Sequence, residues 1–245
     1  MYSAEIVGAL ANNLSPSFSM ASKWENEVKK EFETYLRVNG WPPSSLGSRF
    51  FSSPWSKDIP PPLLDTLRSF QHLIAYYESA SDIENEDSRI KNNYLIFATR
   101  RLFHLPMECP LSPSHETIRL AILAYCSSRI WSTPLSPCVD TIMKALRPAL
   151  AQSFNKLQNT APDLLFWILF IFGFSTQNMQ YQPWIATHIR QSAKSLKLES
   201  WNDALPVLEV FFFVCRSPQD PAISYWTSAI SSEPFGVQKQ VQNRT

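Results

Sequence analysis

The chain has 245 residues, a formal net charge of +1, and contents of 44% hydrophobic and 13% aromatic residues. This length allows one large domain or two small ones with a sizeable core. The near balance of 22 basic and 21 acidic residues provides no overall field for nucleic acid or an anionic membrane. Only five glycines are present, and because glycine supplies the positive φ angles of tight hairpin turns, a hairpin-rich β fold is disfavoured.

The first half of the chain predicts three helices separated by polar or proline-rich segments. Residues 1–20 are small and polar and predict a flexible N-terminus. Apolar residues at helical spacing predict a helix over 21–38, which Gly40-Trp-Pro-Pro43 ends. Residues 44–62 predict a long irregular connection that wraps over the core through Phe50, Phe51 and Trp55. Helices are expected at Leu63–Tyr77 and Ile90–His104, on either side of an acidic linker.

Prolines mark most of the predicted helix boundaries in the second half of the chain. Pro106, Pro110 and Pro113 predict a break, after which Ser114 is expected to cap a helix from His115 to about Trp131. The following helices are expected at Val139–Leu157, which Pro148 should kink or split, and then at Pro162–Phe174, Pro183–Leu198, Trp201–Val214 and Ile223–Ile230. The polar tail, 231–245, predicts disorder.

An apolar block from Leu164 to Phe174 is the most informative segment. It is too apolar for a surface helix and too short for a membrane span, which needs about 20 apolar residues. Pro162 suits the first position of a helix, and Asp163 favours the helix dipole there. The block therefore predicts the central helix of an all-α fold. We expect an irregular multi-helix domain over 21–230, with about eight to ten helices in two layers.

The order of four segments resembles a known family. These segments are Glu116-Thr-Ile-Arg-Leu-Ala-Ile-Leu-Ala-Tyr125, Ala145-Leu-Arg-Pro-Ala-Leu150, Ala161-Pro-Asp-Leu-Leu-Phe-Trp-Ile-Leu-Phe-Ile-Phe-Gly173 and Trp184-Ile-Ala-Thr-His-Ile-Arg190. Together they resemble the C-terminal half of the fungal-specific transcription factor domain, in the variant of acriflavine-sensitivity-control-like proteins. That all-helical regulatory region stands behind a six-cysteine zinc-cluster DNA-binding domain. The match is closest over 115–215.

The cysteines depart from the family pattern. The chain has four, at positions 109, 126, 138 and 215, and a zinc cluster needs six in a short basic stretch. No CxxC pair occurs, so we predict no metal site, with thiols acting as small buried hydrophobes in a reducing compartment. No GxGxxG or GxxxxGK(S/T) motif occurs either, and no cofactor is predicted. Sequence-specific DNA binding is therefore not carried over from the resemblance.

The resemblance implies a regulatory protein of fungal, secondary-metabolite gene expression, located in the nucleus, with the cytoplasm as the alternative. Its expected partners are other transcription regulators, a second copy of itself, or a small apolar ligand; no membrane is expected. An alternative is a natural-product biosynthesis protein that binds or cyclises an apolar intermediate in an aromatic-lined cavity. A third hypothesis, a scaffold or dimerisation module, would require a large exposed apolar patch. No catalytic residue is predicted.

Several side chains are weak candidates for ligand binding. They are Trp167, Phe170, Trp184, His188 and Trp201, and an ordinary aromatic core is the competing interpretation. His104 and His115 are expected at helix ends, and His188 at the boundary of an amphipathic helix. Cys126 and Cys215 are expected inside apolar helices. The basic set Arg190, Lys194 and Lys197 is interpreted as a solvated helix face, although it could meet an anionic partner. Arg100 and Arg101 form a similar pair.

Overall fold

A computed structural model describes residues 22–39, 45–79, 88–130, 136–176 and 182–231. Within these ranges the chain forms ten α-helices and no β-strand, which confirms the expected all-α class and helix number. The helices are α1 (Ser22–Asn39), α2 (Ser48–Ser52), α3 (Pro61–Ser79), α4 (Ser88–Glu108), α5 (Pro113–Tyr125), α6 (Ser136–Thr160), α7 (Pro162–Ser175), α8 (Gln182–Leu196), α9 (Trp201–Glu209) and α10 (Pro221–Ser231). Residues 1–20, with an expected flexible N-terminus, and residues 232–245 of the tail that is expected to be disordered over 231–245 lie outside the described residues, whereas Ser231 is the last residue of α10.

Helix α7 is the central helix that the apolar block predicts. Every residue from Leu164 to Gly173 is buried. A helix that is apolar on all faces must be covered on all sides, and α5, α6, α8 and α9 pack against this one. Asp163, in the first turn, accepts a hydrogen bond from the Leu164 N–H at 3.0 Å and forms an ion pair with Arg49, so its charge is neutralised at a helix start that has no side-chain cap.

A second group of helices joins this centre through α4. Helix α4 packs against α3, against α1 and against α5. The ring of Phe32 on α1 stacks on Tyr94 of α4, with 3.6 Å between ring centroids. One continuous cluster of buried apolar side chains extends from α1 to α10.

The connection over 44–62 is more regular than expected, within its described part. It contains α2 and a 3₁₀ helix at Pro54–Asp58. Gly47 has a φ of 70°, and its N–H donates to the Phe211 carbonyl at 2.7 Å. This bond and the one from the Arg49 N–H to the Val210 carbonyl, at 3.1 Å, hold the segment on the core, where Phe50 is fully buried and Phe51 and Trp55 are partly buried. The expected wrapping is confirmed, whereas the irregular structure is wrong.

Helix α4 runs through Pro106, where a break was expected. A proline inside a helix leaves the carbonyl four residues earlier without its N–H donor. The carbonyl in question belongs to Leu102, and it accepts a hydrogen bond from Nη1 of Arg119 at 2.9 Å. The guanidinium of α5 therefore replaces the donor that Pro106 lacks, and the helix continues to Glu108.

The start of α5 also differs from the expectation. Ser112, not Ser114, is the capping residue, and its hydroxyl accepts a hydrogen bond from the His115 N–H at 3.3 Å. Pro113 occupies the first helical position, which its fixed φ suits. The α-helix ends at Tyr125, and a π-helix over Cys126–Ile130 continues it.

Pro148 neither ends nor divides α6, which is one helix of 25 residues.

The helix predicted over Trp201–Val214 is shorter than expected, because α9 ends at Glu209. Phe211, Phe212 and Phe213 follow, and all three are fully buried. Successive helical residues point about 100° apart, so a helix at the surface cannot bury three in a row. A chain that leaves the helix can insert them among neighbouring helices.

Candidate functional site

The five aromatic and histidine candidates fall into two separate places. Trp167 and Phe170 are fully buried on α7, and Trp201 lies 6.0 Å from Phe170 between ring centroids. Trp184 and His188 form another pair on α8, 4.3 Å apart. His188 is partly buried, as expected for a boundary residue.

The first group packs against other core side chains. Nε1 of Trp167 donates to the Phe212 carbonyl at 3.2 Å, and its ring packs against Phe50 at 5.6 Å. Phe170 packs edge-on against Phe213 at 5.7 Å and against Tyr225 at 5.6 Å. These rings act as core, and ligand binding by the five candidates stays a prediction.

A cleft of about 400 Å³ lies elsewhere in the molecule. It is bounded by the 3₁₀ helix that follows α2, the first turns of α5, the last turn of α6 and the start of α7. Its floor is apolar and buried, and Ile118, Leu157, Ala161 and Leu164 form it. The partly buried indole of Trp55 provides a wall. This volume lies in the lower part of the range for small-molecule sites, about 300–1,000 Å³.

Polar groups surround the mouth of the cleft. Asp58, Lys156 and Thr160 are exposed, whereas His115 is partly buried. Burial lowers the pKa of the His115 imidazole, Lys156 lowers it further, and Asp58 opposes both effects. The imidazole is therefore neutral at neutral pH and offers one donor and one acceptor.

Two arginines bind the acidic residues at the helix starts that border the cleft. Nε of Arg49 donates to Asp163 at 2.7 Å and so ties α2 to the start of α7. Arg119 holds Glu116 with two hydrogen bonds, at 2.7 and 2.6 Å, in the first turn of α5. Both acidic residues at these helix starts are therefore engaged with arginine.

The arrangement suits binding of a compact molecule with an apolar body and a polar end. Ser114 and His115 share the first turn of α5, but no hydrogen bond joins the hydroxyl to the imidazole in this described region. The cleft thus presents no assembled pair of nucleophile and base.

The described cysteines show no sign of an activated thiol. Cys126 is buried, as expected, and burial raises the pKa of Cys109 and of Cys215. Cys215 lies in the irregular segment after α9, so its expected place inside a helix is wrong.

The described residues contain no group of three or more side chains that could hold a metal ion. None of the described helices combines the length and hydropathy that a bilayer crossing requires.

Sequence reasoning missed the cleft because its residues are far apart along the chain. His115 is at a helix start, as expected, but nothing local connects it to Trp55 or Lys156. The available signals were a Pro-Trp pair inside a proline-rich connection and a Ser-His pair just after a helix-starting proline.

Comparisons of the chain with family models, with curated proteins and with solved structures found no match.

Proposed function

We propose that this chain is a regulatory domain related to the fungal-specific transcription factor domain, and that it responds to a small molecule bound in the cleft. It acts through ligand and protein contacts, in the nucleus, on the expression of other genes. The observation that carries the ligand-binding part is the cleft, which has a buried apolar floor and a polar mouth.

The family part of the proposal rests on the four segments that resemble the family. They fall within α5, α6, the start and body of α7, and α8. These are the helices that build and surround the buried centre. The resemblance therefore concerns the framework, and a shared framework supports a shared fold more strongly than a shared activity.

The position of the cleft supports a regulatory response. An occupant would contact four elements at once, including the start of the central helix. A ligand shifts a conformational equilibrium only through different contacts in the two states. A site at the junction of several elements provides such contacts whenever those elements move relative to one another.

A reporter assay tests the proposal. The chain is fused to an unrelated DNA-binding domain in a fungal host, and reporter output is compared with that of the DNA-binding domain alone. A Thr160→Trp variant places a large side chain at the mouth of the cleft, and Gln158→Trp, which is exposed on α6 outside the cleft, is the matched control. We expect the fusion to change output, Thr160→Trp to lose the change, and Gln158→Trp to keep it.

Equal output from the fusion and from the DNA-binding domain alone would contradict the regulatory role. Equal behaviour of the two tryptophan variants would contradict the role of the cleft. A fluorescent fusion measures nuclear location separately.

The two other hypotheses gain less support. The aromatic residues that would line a biosynthetic cavity pack on one another, and the observed cleft has Trp55 as its aromatic wall. Among the described residues, Met107 is the one large hydrophobic side chain that is strongly exposed, so no apolar patch supports a dimerisation module.

A further inference from the structure

The lining of the cleft contains one lysine, one histidine and one acidic residue. Their balance indicates the charge of the molecule that the cleft takes. The ammonium group of Lys156 forms no ion pair and no hydrogen bond with any described residue. The acids in the first turns of α5 and α7, Glu116 and Asp163, are held by Arg119 and Arg49 and cannot serve Lys156.

Two helix starts add to the positive potential. Ser114 and His115 belong to the first turn of α5, and Ala161 is the capping position of α7, where no side chain caps the helix. The amino end of a helix carries a partial positive charge. Because arginines neutralise the two first-turn acids, this partial charge is not cancelled by a free carboxylate on either helix.

Asp58 is the one residue in the lining that opposes an anion. It is exposed on the 3₁₀ helix, as Lys156 is on α6, so water screens both charges. At His115 the charge of Lys156 outweighs that of Asp58, since the lysine has the larger influence on the imidazole. The carboxyl end of α6, which also borders the cleft, contributes a partial negative charge, so Lys156 is the full positive charge on which selection of an anion depends.

We propose that the cleft binds a compact organic acid, with its apolar body on Ile118, Leu157 and Leu164 and its carboxylate against Lys156 and the start of α5. This inference rests on the proposed ligand-binding function of the same cleft. The floor provides affinity through burial of apolar surface, and the lysine provides selection for the carboxylate over a neutral head of the same shape.

A matched pair of probes separates charge from shape. Naphthaleneacetic acid and naphthaleneacetamide have the same apolar body and nearly the same polar outline, but only the acid is charged at neutral pH. Isothermal titration calorimetry measures each against the full chain. We expect the acid to bind more tightly than the amide, by about fivefold, as is typical of a partly exposed charge pair.

Charge variants give effects of opposite sign. Lys156→Gln should weaken binding of the acid by about fivefold and leave the amide unchanged, whereas Asp58→Asn should strengthen binding of the acid. Lys194→Gln, an exposed lysine on α8 outside the cleft, is the matched control and should change neither affinity. All three positions are exposed, and thermal unfolding verifies that each variant remains folded.

The outcomes distinguish the inference from the function on which it rests. Equal binding of acid and amide, with no effect of Lys156→Gln but loss of both with Thr160→Trp, would overturn the selection for acids and support the cleft as an apolar binding site. Binding of neither probe by the unmodified chain would overturn the inference, and the comparison of Thr160→Trp with Gln158→Trp in the reporter assay then tests the proposed function separately.

Discussion

At the scale of single residues, Gly173 determines how closely α10 approaches α7. A Cβ built at Gly173 would overlap the Tyr225 hydroxyl and would lie 2.7 Å from Cζ of the same ring. That hydroxyl is buried and has no hydrogen-bond partner in the described structure. The contact is therefore tight and carries an unsatisfied polar group.

Gly173→Ala should lower the free energy of unfolding by about 1–3 kcal/mol, because overpacking forces the two helices apart. The sign is informative, since an alanine in place of glycine inside an unobstructed helix raises stability by about 0.5–1 kcal/mol. Chemical denaturation of both forms measures the difference. An increase in stability would show that no clash exists.

Tyr225→Phe removes the hydroxyl oxygen, which is both the atom that a Cβ at position 173 would overlap and the buried polar group without a hydrogen bond. We expect it to raise the free energy of unfolding by up to about 1 kcal/mol, because the desolvated hydroxyl gains no hydrogen bond. In combination with Gly173→Ala it should recover part of the loss, which a double-mutant cycle measures. A loss of stability in Tyr225→Phe alone would show that the hydroxyl has a partner.

At Lys197, the backbone conformation determines how a substitution affects the stability of the fold. Its φ is 58°, the left-handed region that favours glycine. The Leu198 N–H donates to the Ala193 carbonyl at 2.9 Å, and the Lys197 N–H donates to the Lys194 carbonyl at 3.2 Å. These two bonds form the Schellman motif, which most often has glycine at this position.

Lys197→Gly should raise the free energy of unfolding by about 1 kcal/mol, because it relieves the left-handed strain of a residue with a side chain. Lys194→Gly, three residues earlier and inside α8, is the control and should lower stability by up to about 1 kcal/mol. Thermal or denaturant unfolding measures both. The same sign for both variants would contradict the assignment of the helix end.

At the scale of helices, Arg119 makes the unbroken course of α4 possible. The variant Arg119→Met leaves the Leu102 carbonyl without a donor and frees Glu116 from its partner. Since removal of one partner of a buried charged pair typically costs 3–5 kcal/mol and Glu116 is partly exposed, we expect a loss of about 3 kcal/mol.

The role of Pro106 adds a further test of the same contact. In a Pro106→Ala background, the restored N–H can donate to the Leu102 carbonyl, so Arg119→Met should cost about 1 kcal/mol less. Unfolding of the four forms in a double-mutant cycle measures this coupling. Simple additivity would mean that the arginine does not stand in for the missing donor.

The helices show what local pattern can and cannot predict. Apolar periodicity placed α1, α3, α7 and α8 within a few residues of their observed bounds. The errors lie where a distant group overrides a local rule. Pro106 should end a helix, but a guanidinium from α5 replaces its donor; residues after Glu209 should remain helical, but three successive phenylalanines are buried among other helices. Neither partner is visible in a local window of sequence.

At the scale of the whole molecule, the cleft was the least predictable feature. Its floor consists of ordinary core residues, and its charged mouth joins side chains from separate elements. His115, Trp55 and Lys156 acquire a shared environment only when α5 packs on α6 and the 3₁₀ helix lies at the same cleft. The aromatic candidates illustrate the opposite case, because a conspicuous composition produced core packing at Trp167 and Phe170.

A buried ion pair ties the last helix to the centre of the fold. Both Nη atoms of Arg129, in the π-helix, bond to the Asp220 carboxylate, at 3.1 and 2.9 Å, and Asp220 also accepts from the Ala222 N–H at the start of α10. Burial alone would raise the pKa of Asp220, but the bonds from Arg129 and from the backbone N–H groups of Arg216 and Ala222 hold it below its usual range.

The direction of this shift determines how stability depends on pH. A carboxyl whose pKa is lower in the folded chain contributes stability above its unfolded value, about 3.9, and this contribution is lost as the pH falls through the folded value. We expect the free energy of unfolding to decrease as the pH is lowered below about 4.

Asp220→Asn should be less stable than the unmodified chain at neutral pH by about 3 kcal/mol, because Arg129 stays buried without its counter-charge. In acid it should lose stability less steeply, by up to about 1.4 kcal/mol per pH unit. Asp65→Asn, in an exposed pair with Arg68, is the control and should leave the acid slope nearly unchanged. Denaturant unfolding between pH 7 and pH 2 measures all three forms; parallel curves for Asp220→Asn and the unmodified chain would mean that this pair does not couple protonation to the docking of α10.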